Sequence, residues 1–524
     1  MAMLFSVTDD GNWLRLDNYD DVLDFRQVEI SLTREVANSY IYKSKKNKKL
    51  AARYKGWDGK VNFLYKKRFV PAGLWKELEQ IGQEHNLGIT IQGLEKLKSD
   101  EPSLEDFQSW CDEFFSESVM KPRDYQVMAA HNALVHKRSI MELATNAGKT
   151  LIVFMVVAYL KRVGRLGKFL MIVPNTNLVG QAMQDFQDYG AYKLGLRFQL
   201  FGGEFTEAGV GLRSDADVVI GTFQSLVRKA EDKEGNPTEF FSSFSTICCD
   251  EAHQSNCNSI RKIVSLCVRA GHRFGLTGTL VNNGSADQFT IQSLLGPVVM
   301  KVSPDFLFKR GYSTPLDIRV VRMSYLPEEA RQKLANLHAK KKDIEGSDLL
   351  NIEKKLAISS RARLNFVVDF IVKSKKNSLV LFQNVQDGYG QKIYDMIREL
   401  DGTKEVFYVD GSTSDALREE YKVRMKSGEN KILVATYLTF ATGISIPNLH
   451  NIYLTESYKS EILIKQSLGR MMRLFEDKER AIVVDFVDDF SWKGKKNYLL
   501  KHSDERIEIY ERENFDYRIY DVSF

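Results

Sequence analysis

The sequence predicts an α/β protein: two tandem parallel-sheet units, a small α+β domain before them, and a short helical C-terminal extension after them. Three observations carry this prediction. From residue 138 onward, short β-rich apolar runs alternate with longer stretches whose apolar residues recur at three- and four-residue spacing. That alternation occurs twice, with Gly and Pro interrupting it near Lys309–Pro315. The first 117 residues lack the rhythm altogether.

Residues 1–117 read as the small leader, with a boundary near Ser116–Lys121. Residues 118–310 form the first unit, with expected strands Ser139–Leu143, Phe169–Val173, Val218–Gly221, Thr246–Cys249 and Phe274–Thr277. Helices such as Leu178–Tyr189 and Ile260–Val268 lie between them. Crossovers of this kind generate a mostly parallel sheet covered on both faces. Residues 311–490 repeat the pattern with Ser378–Phe382, Val406–Val409, Lys431–Ala435, Asn451–Leu454 and Ala481–Phe486. A charged helical stretch from Pro327 to about Lys375 leads into this second set, and residues 491–524 form the extension.

Composition excludes several classes. At 524 residues, with 43% hydrophobic and 27% charged side chains, the chain has an ordinary globular balance and room for three or four domains. Its longest apolar run, Leu151–Leu160, is about half of what a bilayer-spanning helix needs, and the N-terminus has no secretory pattern. Five cysteines without a CxxC spacing read as reduced core thiols in a cytoplasmic protein, not as a zinc site or a disulfide framework. The net charge of +5 is mild, but its distribution is uneven. Residues 1–120 carry 17 basic and 20 acidic side chains, yet Lys43–Arg68 holds 11 basic residues against the single acid Asp58.

Three motifs carry chemistry. Leu143-Ala-Thr-Asn-Ala-Gly-Lys-Thr150 follows an apolar strand and opens a helix, which aims backbone N–H groups of Thr145, Asn146, Ala147 and Gly148 at phosphate oxygens. Lys149 would reach the β- and γ-phosphates of ATP, and the Thr150 hydroxyl would ligate Mg²⁺. Leu143 stands where such loops usually begin with Gly, and Asn146 replaces a second Gly. Asp250-Glu-Ala-His253 follows another apolar run, at the strand end where open α/β sheets collect ligands. Asp250 would hold the metal through water, and Glu251 would take a proton from the attacking water. Gln466-Ser-Leu-Gly-Arg-Met-Met-Arg473 lies on a helix of the second unit, with Arg470 and Arg473 on one face. Such arginines can neutralise charge on a transferring phosphoryl group, so the catalytic set is Lys149, Asp250, Glu251, Gln466, Arg470 and Arg473. An ATP site divided between two domains in this way belongs to a motor.

The ordered series resembles the superfamily-two helicases and translocases over about residues 120–490. That resemblance implies two RecA-like domains and assigns further roles. Pro122-Arg-Asp-Tyr-Gln126 resembles the adenine-reading element, placing Arg123 and Gln126 with the ATP-binding residues. Ile172-Val-Pro-Asn-Thr-Asn-Leu178 and Thr222-Phe-Gln-Ser225 resemble strand-gripping elements, implying DNA contacts from Pro174, Asn175, Thr222, Gln224 and Ser225. Leu276-Thr-Gly-Thr279 resembles the segment coupling hydrolysis to DNA, with His253, Thr277, Gly278 and Thr279 as coupling residues. Phe382-Gln-Asn384 and Thr436 through Ile446 resemble second-domain elements, adding Asn384 to the DNA set and Gly443 to the ATP set.

Tyr54-Lys-Gly-Trp-Asp-Gly-Lys60 with Arg68-Phe-Val-Pro-Ala-Gly-Leu74, and Asn497-Tyr-Leu-Leu-Lys-His502 with Arg506 and Tyr510, are similar to the phage UvsW-type recombination helicases. That family implies an ATP- and Mg²⁺-dependent 3′-to-5′ motor on branched DNA, acting on forks, Holliday junctions and R-loops in recombination, repair and replication. It also implies phage recombination and replication proteins as partners and the host cytoplasm as location; a monomer is the default. An RNA helicase, a restriction-system translocase subunit, and a non-catalytic ATP-gated clamp or annealing protein are the alternatives. In the leader, Lys45, Lys46, Lys48, Lys49, Arg53 and Lys60 could neutralise phosphates, and Trp57 could stack on an unpaired base or belong to the fold. Val61, Phe63, Phe69 and Leu74 are expected to form the leader's core, and Asp58-Gly59 a turn.

Overall fold

The computed structural model describes residues 2–36, 39, 57–99, 102–205, 212–230, 239–280, 284–339, 346–383, 385–443, 446–458, 460–476 and 478–524. Two compact units divide the chain: Met1–Leu143 with Ala147–Lys301, and Val302–Phe524 with Ala144–Asn146. Within the first, the leader contributes strands β1 (Ala2–Val7), β2 (Trp13–Asn18), β3 (Thr33–Glu35), β4 (Lys60–Asn62), β5 (Phe69–Pro71) and β6 (Gly88–Gln92). A mixed sheet runs β5-β2-β1-β6, and β3 and β4 form a separate antiparallel pair. Trp75, Leu78 and Ile81, at three-residue spacing on the helix Trp75–Glu84, bury one face beside Phe5, Leu14 and Val70. Phe63 and Leu74 are buried as expected, whereas Val61 and Phe69 are half-buried.

The leader's core also contains Phe289, from the helix Ala286–Leu295 of the adjoining sheet domain, which meets Phe63 at 5.6 Å and lies under the Arg34 guanidinium at 4.0 Å. Gly73 makes the closest approach: a Cβ there would stand 2.1 Å from the Gln292 carbonyl oxygen. Gly73→Ala is therefore expected to lower the stability of this unit by about 1–3 kcal/mol through overpacking against backbone. A denaturant titration followed by tryptophan fluorescence checks it.

The first parallel sheet is built from β7 (Arg138–Leu143), β8 (Lys168–Val173), β9 (Phe198–Phe201), β10 (Val218–Thr222), β11 (Phe244–Asp250), β12 (His272–Thr277) and β13 (Val298–Val302). The order is β13-β7-β12-β11-β8-β10-β9, and β7 to β12, β12 to β11, β11 to β8, β8 to β10 and β10 to β9 all pair parallel. The helix Leu104–Phe114, capped by Ser103, packs on this sheet's helix Lys149–Arg162: Phe107 and Trp110 each meet Tyr159 at 5.2 Å.

The second sheet comprises β14 (Leu316–Ser324), β15 (Ser378–Phe382), β16 (Glu405–Val409), β17 (Lys431–Thr436), β18 (Asn451–Leu454), β19 (Ala481–Asp488) and β20 (Asp516–Ser523), ordered β16-β17-β15-β18-β19-β14-β20 with every pair parallel. Alternate residues feed opposite cores. Leu379, Leu381, Leu433 and Val483 bury on one face, and Val380, Phe382, Val434 and Val484 on the other.

The extension differs from the expected helix alone. Tyr498–Arg512 is helical, but Asp516–Ser523 returns as the edge strand beside β14. Its charged Asp516, Arg518 and Asp521 suit an exposed edge and leave no apolar run to signal a strand. The tail's Arg506 and Tyr510 anchor it inside the second unit: Arg506 donates two hydrogen bonds of 2.8 Å to Asp485, and the Tyr510 hydroxyl donates to the same carboxylate at 3.0 Å.

Candidate nucleotide and nucleic-acid site

Parallel pairing brings the first unit's motifs to one edge of its sheet. In the strand registers Thr277 pairs with Glu142, Asp250 with Leu276, and Thr222 with Val173, so β7, β12, β11, β8 and β10 all end together. The phosphate loop leaves β7 there and opens the helix Lys149–Arg162. Asn146 and Gly148 hold φ of 72° and 76°. Asn takes this left-handed conformation better than most residues, which is why it can replace a Gly in the loop. Gly148 has a second constraint, because a Cβ would lie 2.1 Å from Gln126 Nε2.

Gln126 lies against the loop. Its Nε2 donates to the Ala147 carbonyl at 2.9 Å, and its Oε1 accepts from the Arg123 backbone N–H at 2.8 Å, closing the start of the helix Asp124–Val135. The Tyr125 hydroxyl donates to the same Ala147 carbonyl at 3.0 Å. Arg123 and Gln126 are expected at the site from the sequence, and Tyr125 joins them only in the fold. Its position inside the Pro122–Gln126 string is the signal that could have found it.

Lys149, Glu251, His253, Thr277 and Thr279 converge. Lys149 Nζ stands 3.7 Å from Glu251 Oε1, and His253 Nδ1 is 3.3 Å from Glu251 Oε2. The same His253 nitrogen lies 3.0 Å from Thr277 Oγ1 and 3.3 Å from Thr279 Oγ1. The Thr279 backbone N–H donates to Thr277 Oγ1 at 3.2 Å, closing a tight turn through Gly278. Glu251 occupies a left-handed backbone position at φ 51°, a strained conformation that concentrates at functional sites. Its backbone N–H donates to Asp250 Oδ1 at 3.0 Å. Burial and then the Glu251 charge push the Asp250 carboxyl up to about 6, with Lys149 opposing them. Two acids crowded beside one ammonium form an oxygen-rich donor set that a divalent cation would relieve.

Asn175 and Thr222 lie on neighbouring strand ends, where each caps the helix it opens. Asn175 Oδ1 accepts from the Leu178 N–H at 3.2 Å, and Thr222 Oγ1 accepts from the Ser225 N–H at 3.3 Å. Pro174 and Ser225 are half-buried, and Gln224 is exposed. Trp57 is half-buried and donates its indole N–H to the Lys60 carbonyl at 2.8 Å, while Lys60 is exposed. The Asp58 carboxylate accepts from the Lys60 N–H, and Gly59 takes φ 87° in the expected turn. Lys45, Lys46, Lys48, Lys49, Arg53 and Asn384 lie outside the described residues.

In the second unit, Gln466 and Arg470 sit on the helix Glu461–Met471, capped by Ser460, whereas Arg473 lies past the helix end, beyond the C-cap Met472, so the two arginines do not share one helix face as their spacing predicts. The Arg470 guanidinium is 5.9 Å from the Phe440 ring. The Arg473 carbonyl accepts from Thr314 Oγ1 at 3.1 Å and from Lys478 Nζ at 3.2 Å. Gly443 ends the helix Tyr437–Gly443, which Thr436 opens by accepting from the Thr439 N–H at 3.3 Å.

Residues 119–282 match the family described as Type III restriction enzyme, res subunit, and residues 362–475 match the helicase conserved C-terminal domain. The chain is 31% identical over 482 residues to the ATP-dependent DNA helicase uvsW of Enterobacteria phage T4, covering 89% of this chain and 90% of that protein. The crystal structure of T4 UvsW aligns over 100% of both chains at 27% identity, with a TM-score of 0.48. The DNA 3'-5' translocase XPB2 of Sulfurisphaera tokodaii is 25% identical over 399 residues, covering 72% of this chain and 83% of that one. For fold alone, S. cerevisiae Dbp5 bound to RNA and ADP BeF3 aligns with a TM-score of 0.51 at 13% identity, over 80% of this chain and 93% of its own. With its motifs in order and a relative of that identity spanning nearly its whole length, the chain belongs to the UvsW family of superfamily-two ATP-dependent DNA helicases.

Proposed function

We propose that this helicase is a motor that remodels branched DNA, converting ATP hydrolysis into strand movement at forks and four-way junctions. The observation that carries the motor half of the reading is the contact chain Lys149–Glu251–His253–Thr277–Thr279, which joins the phosphate-binding end of β7 to the turn after β12, while branched DNA as the substrate rests on the likeness to UvsW. In this reading Lys149 and the loop amides bind the nucleotide's phosphates, and Glu251 accepts the proton of the attacking water. His253 senses the state of Glu251 through one nitrogen and passes it to the Thr277 and Thr279 hydroxyls. Thr150 and Asp250 would hold Mg²⁺, which supplies Lewis-acid polarisation of the phosphoryl oxygens when bound. Arg470, Arg473 and Gln466 enter the reading from the sequence, as groups that neutralise the transferring phosphoryl charge. Pro174, Asn175, Thr222, Gln224 and Ser225 would grip the DNA backbone, with the start of the helix Thr176–Asp188 offering N–H groups to phosphates.

A strand-displacement and branch-migration panel with ATP tests the function, across fork, four-way junction, R-loop, linear duplex and RNA substrates. Preferential conversion of the branched substrates is expected. Activity on RNA with none on the DNA substrates would move the assignment to an RNA helicase. For the leader, deletion of residues 1–117 is a poor probe, since it would strip Phe289 of its buried neighbours. Exchanging Lys45, Lys46, Lys48 and Lys49 for Glu is expected to weaken junction binding and to flatten its dependence on log salt by about three to four. Basal ATPase is expected to stay unchanged. An unaltered salt slope in a fluorescence-anisotropy titration would remove the patch from the DNA path.

A further inference from the structure

The leader and the first sheet line a half-open pocket of about 290 Å³ at the amino end of β7 and β12. That is the opposite end of these strands from the phosphate loop. Two of its walls are buried arginines. Arg138 opens β7, Arg273 lies in β12, they face each other in the strand register, and each is only 6% exposed. Both guanidiniums donate to one neutral acceptor, Asn12 Oδ1, at 2.5 and 2.9 Å. Their other donors reach backbone carbonyls: Gly11 and Leu294 for Arg138, Cys267 and Ala270 for Arg273. Among the described residues neither arginine forms an ion pair. The nearby Asp10 carboxylate is exposed and connects to them through the Asn12 amide, which donates to it at 2.9 Å.

A third cation, Arg261, lines the same cavity from the helix Asn258–Leu266. Three guanidiniums therefore surround a space served by a single solvated carboxylate. Two like charges held out of water repel each other strongly unless an anion joins them. Burial and the facing Arg273 charge push the Arg138 guanidinium down, which agrees with a missing counter-charge. The remaining lining suits a phosphate ester. Ser265, Thr290 and Ser293 bring hydroxyls, while Trp13 and Tyr65 bring aromatic surface, their rings 5.4 Å apart. The volume lies near the lower limit for small-molecule sites, about the size of a mononucleotide.

We infer that this cavity is a second anion site, which binds a phosphoryl group carried by a mononucleotide-sized ligand or as the free oxoanion. Arg138, Arg261 and Arg273 supply the charge that recognises it, and occupancy ties the leader to the first sheet domain.

Isothermal titration and thermal melting of the full chain test the inference in a Lys149→Ala background, which removes phosphate binding at the loop. The probes are inorganic phosphate, deoxyadenosine monophosphate and deoxyadenosine, with chloride at matched ionic strength as control. Both phosphates are expected to bind saturably and raise the melting midpoint, and the nucleoside is not. Monophosphate binding about tenfold tighter than inorganic phosphate identifies a nucleotide ligand, and equal affinities identify the oxoanion. Arg261→Glu, on an exposed helix position, is expected to weaken binding at least about tenfold, and Ser265→Trp to block the cavity. Absence of saturable phosphate binding, or binding unchanged in both variants, overturns the inference.

Discussion

Glu251→Gln is expected to lower DNA-stimulated ATP hydrolysis by about 10²–10⁴-fold while nucleotide binding persists. The substitution keeps the shape of the side chain and removes only the carboxylate's charge and basicity. In the structure that carboxylate has one oxygen 3.7 Å from Lys149 and the other 3.3 Å from His253, so it is held between the lysine that opens the helix after β7 and the histidine that contacts the turn after β12. A general base at this position has to accept a proton, and an amide oxygen does so far more weakly. Phosphate release at saturating branched DNA measures the effect, and nucleotide affinity by fluorescent-analogue titration separates chemistry from binding. Wild-type turnover in the variant would remove Glu251 from the mechanism. His253→Ala offers a companion measurement, because it breaks the link to Thr277 and Thr279 without touching the phosphate loop. Its loss should fall mainly on stimulation by DNA rather than on basal hydrolysis.

Asp488→Ala is expected to destabilise the second unit by about 3–5 kcal/mol, the usual result of stranding a buried charge. Asp488 accepts from Arg363 at 2.5 and 3.1 Å and from the Tyr325 hydroxyl at 2.8 Å, and both members of the ion pair are almost fully buried. Arg363 also donates to the Tyr389 hydroxyl at 2.5 Å and to the Thr455 carbonyl at 2.7 Å. Its guanidinium would keep those two partners but lose its only counter-charge among the described residues. Burial by itself pushes the Arg363 guanidinium down and the Asp488 charge more than offsets it, so removing Asp488 leaves the cost of burying the arginine uncompensated. Replacing Arg363 and Asp488 together by Met and Leu should cost much less than either single change. A double-mutant cycle in urea measures the coupling, and additive single effects would contradict it.

How far the fold could be read in advance depended on how apolar each element is. Ser378–Phe382 and Asn451–Leu454 were read with their observed bounds, because central parallel strands buried on both faces are continuous apolar runs. β14 and β20 were missed for the complementary reason. Leu316–Ser324 alternates apolar with Asp and Arg residues, and Asp516–Ser523 is an edge strand with charges on its exposed side. Neither carries a run, and β20 is a strand only because β14 pairs with it. The Arg506 and Tyr510 of the tail were noticed as a pattern, but their meeting with Asp485 depends on a helix folding back over β19.

The site divides along the same line. Short contiguous strings made the candidate site legible before folding: a Gly-Lys-Thr loop after a strand, an acid pair after another, a Thr-Gly-Thr turn and two arginines three residues apart, each recognisable because the chemistry expected of it demands particular residue types. The meeting of Gln126 and Tyr125 at the Ala147 carbonyl, the bridge through His253 from Glu251 to two threonines, and the facing of Arg138 and Arg273 across one asparagine of the leader exist only in the folded chain. The physical reason is sequence separation. These contacts join residues 21 to 261 positions apart, and no local pattern of apolar, polar or charged residues records which element will lie beside which.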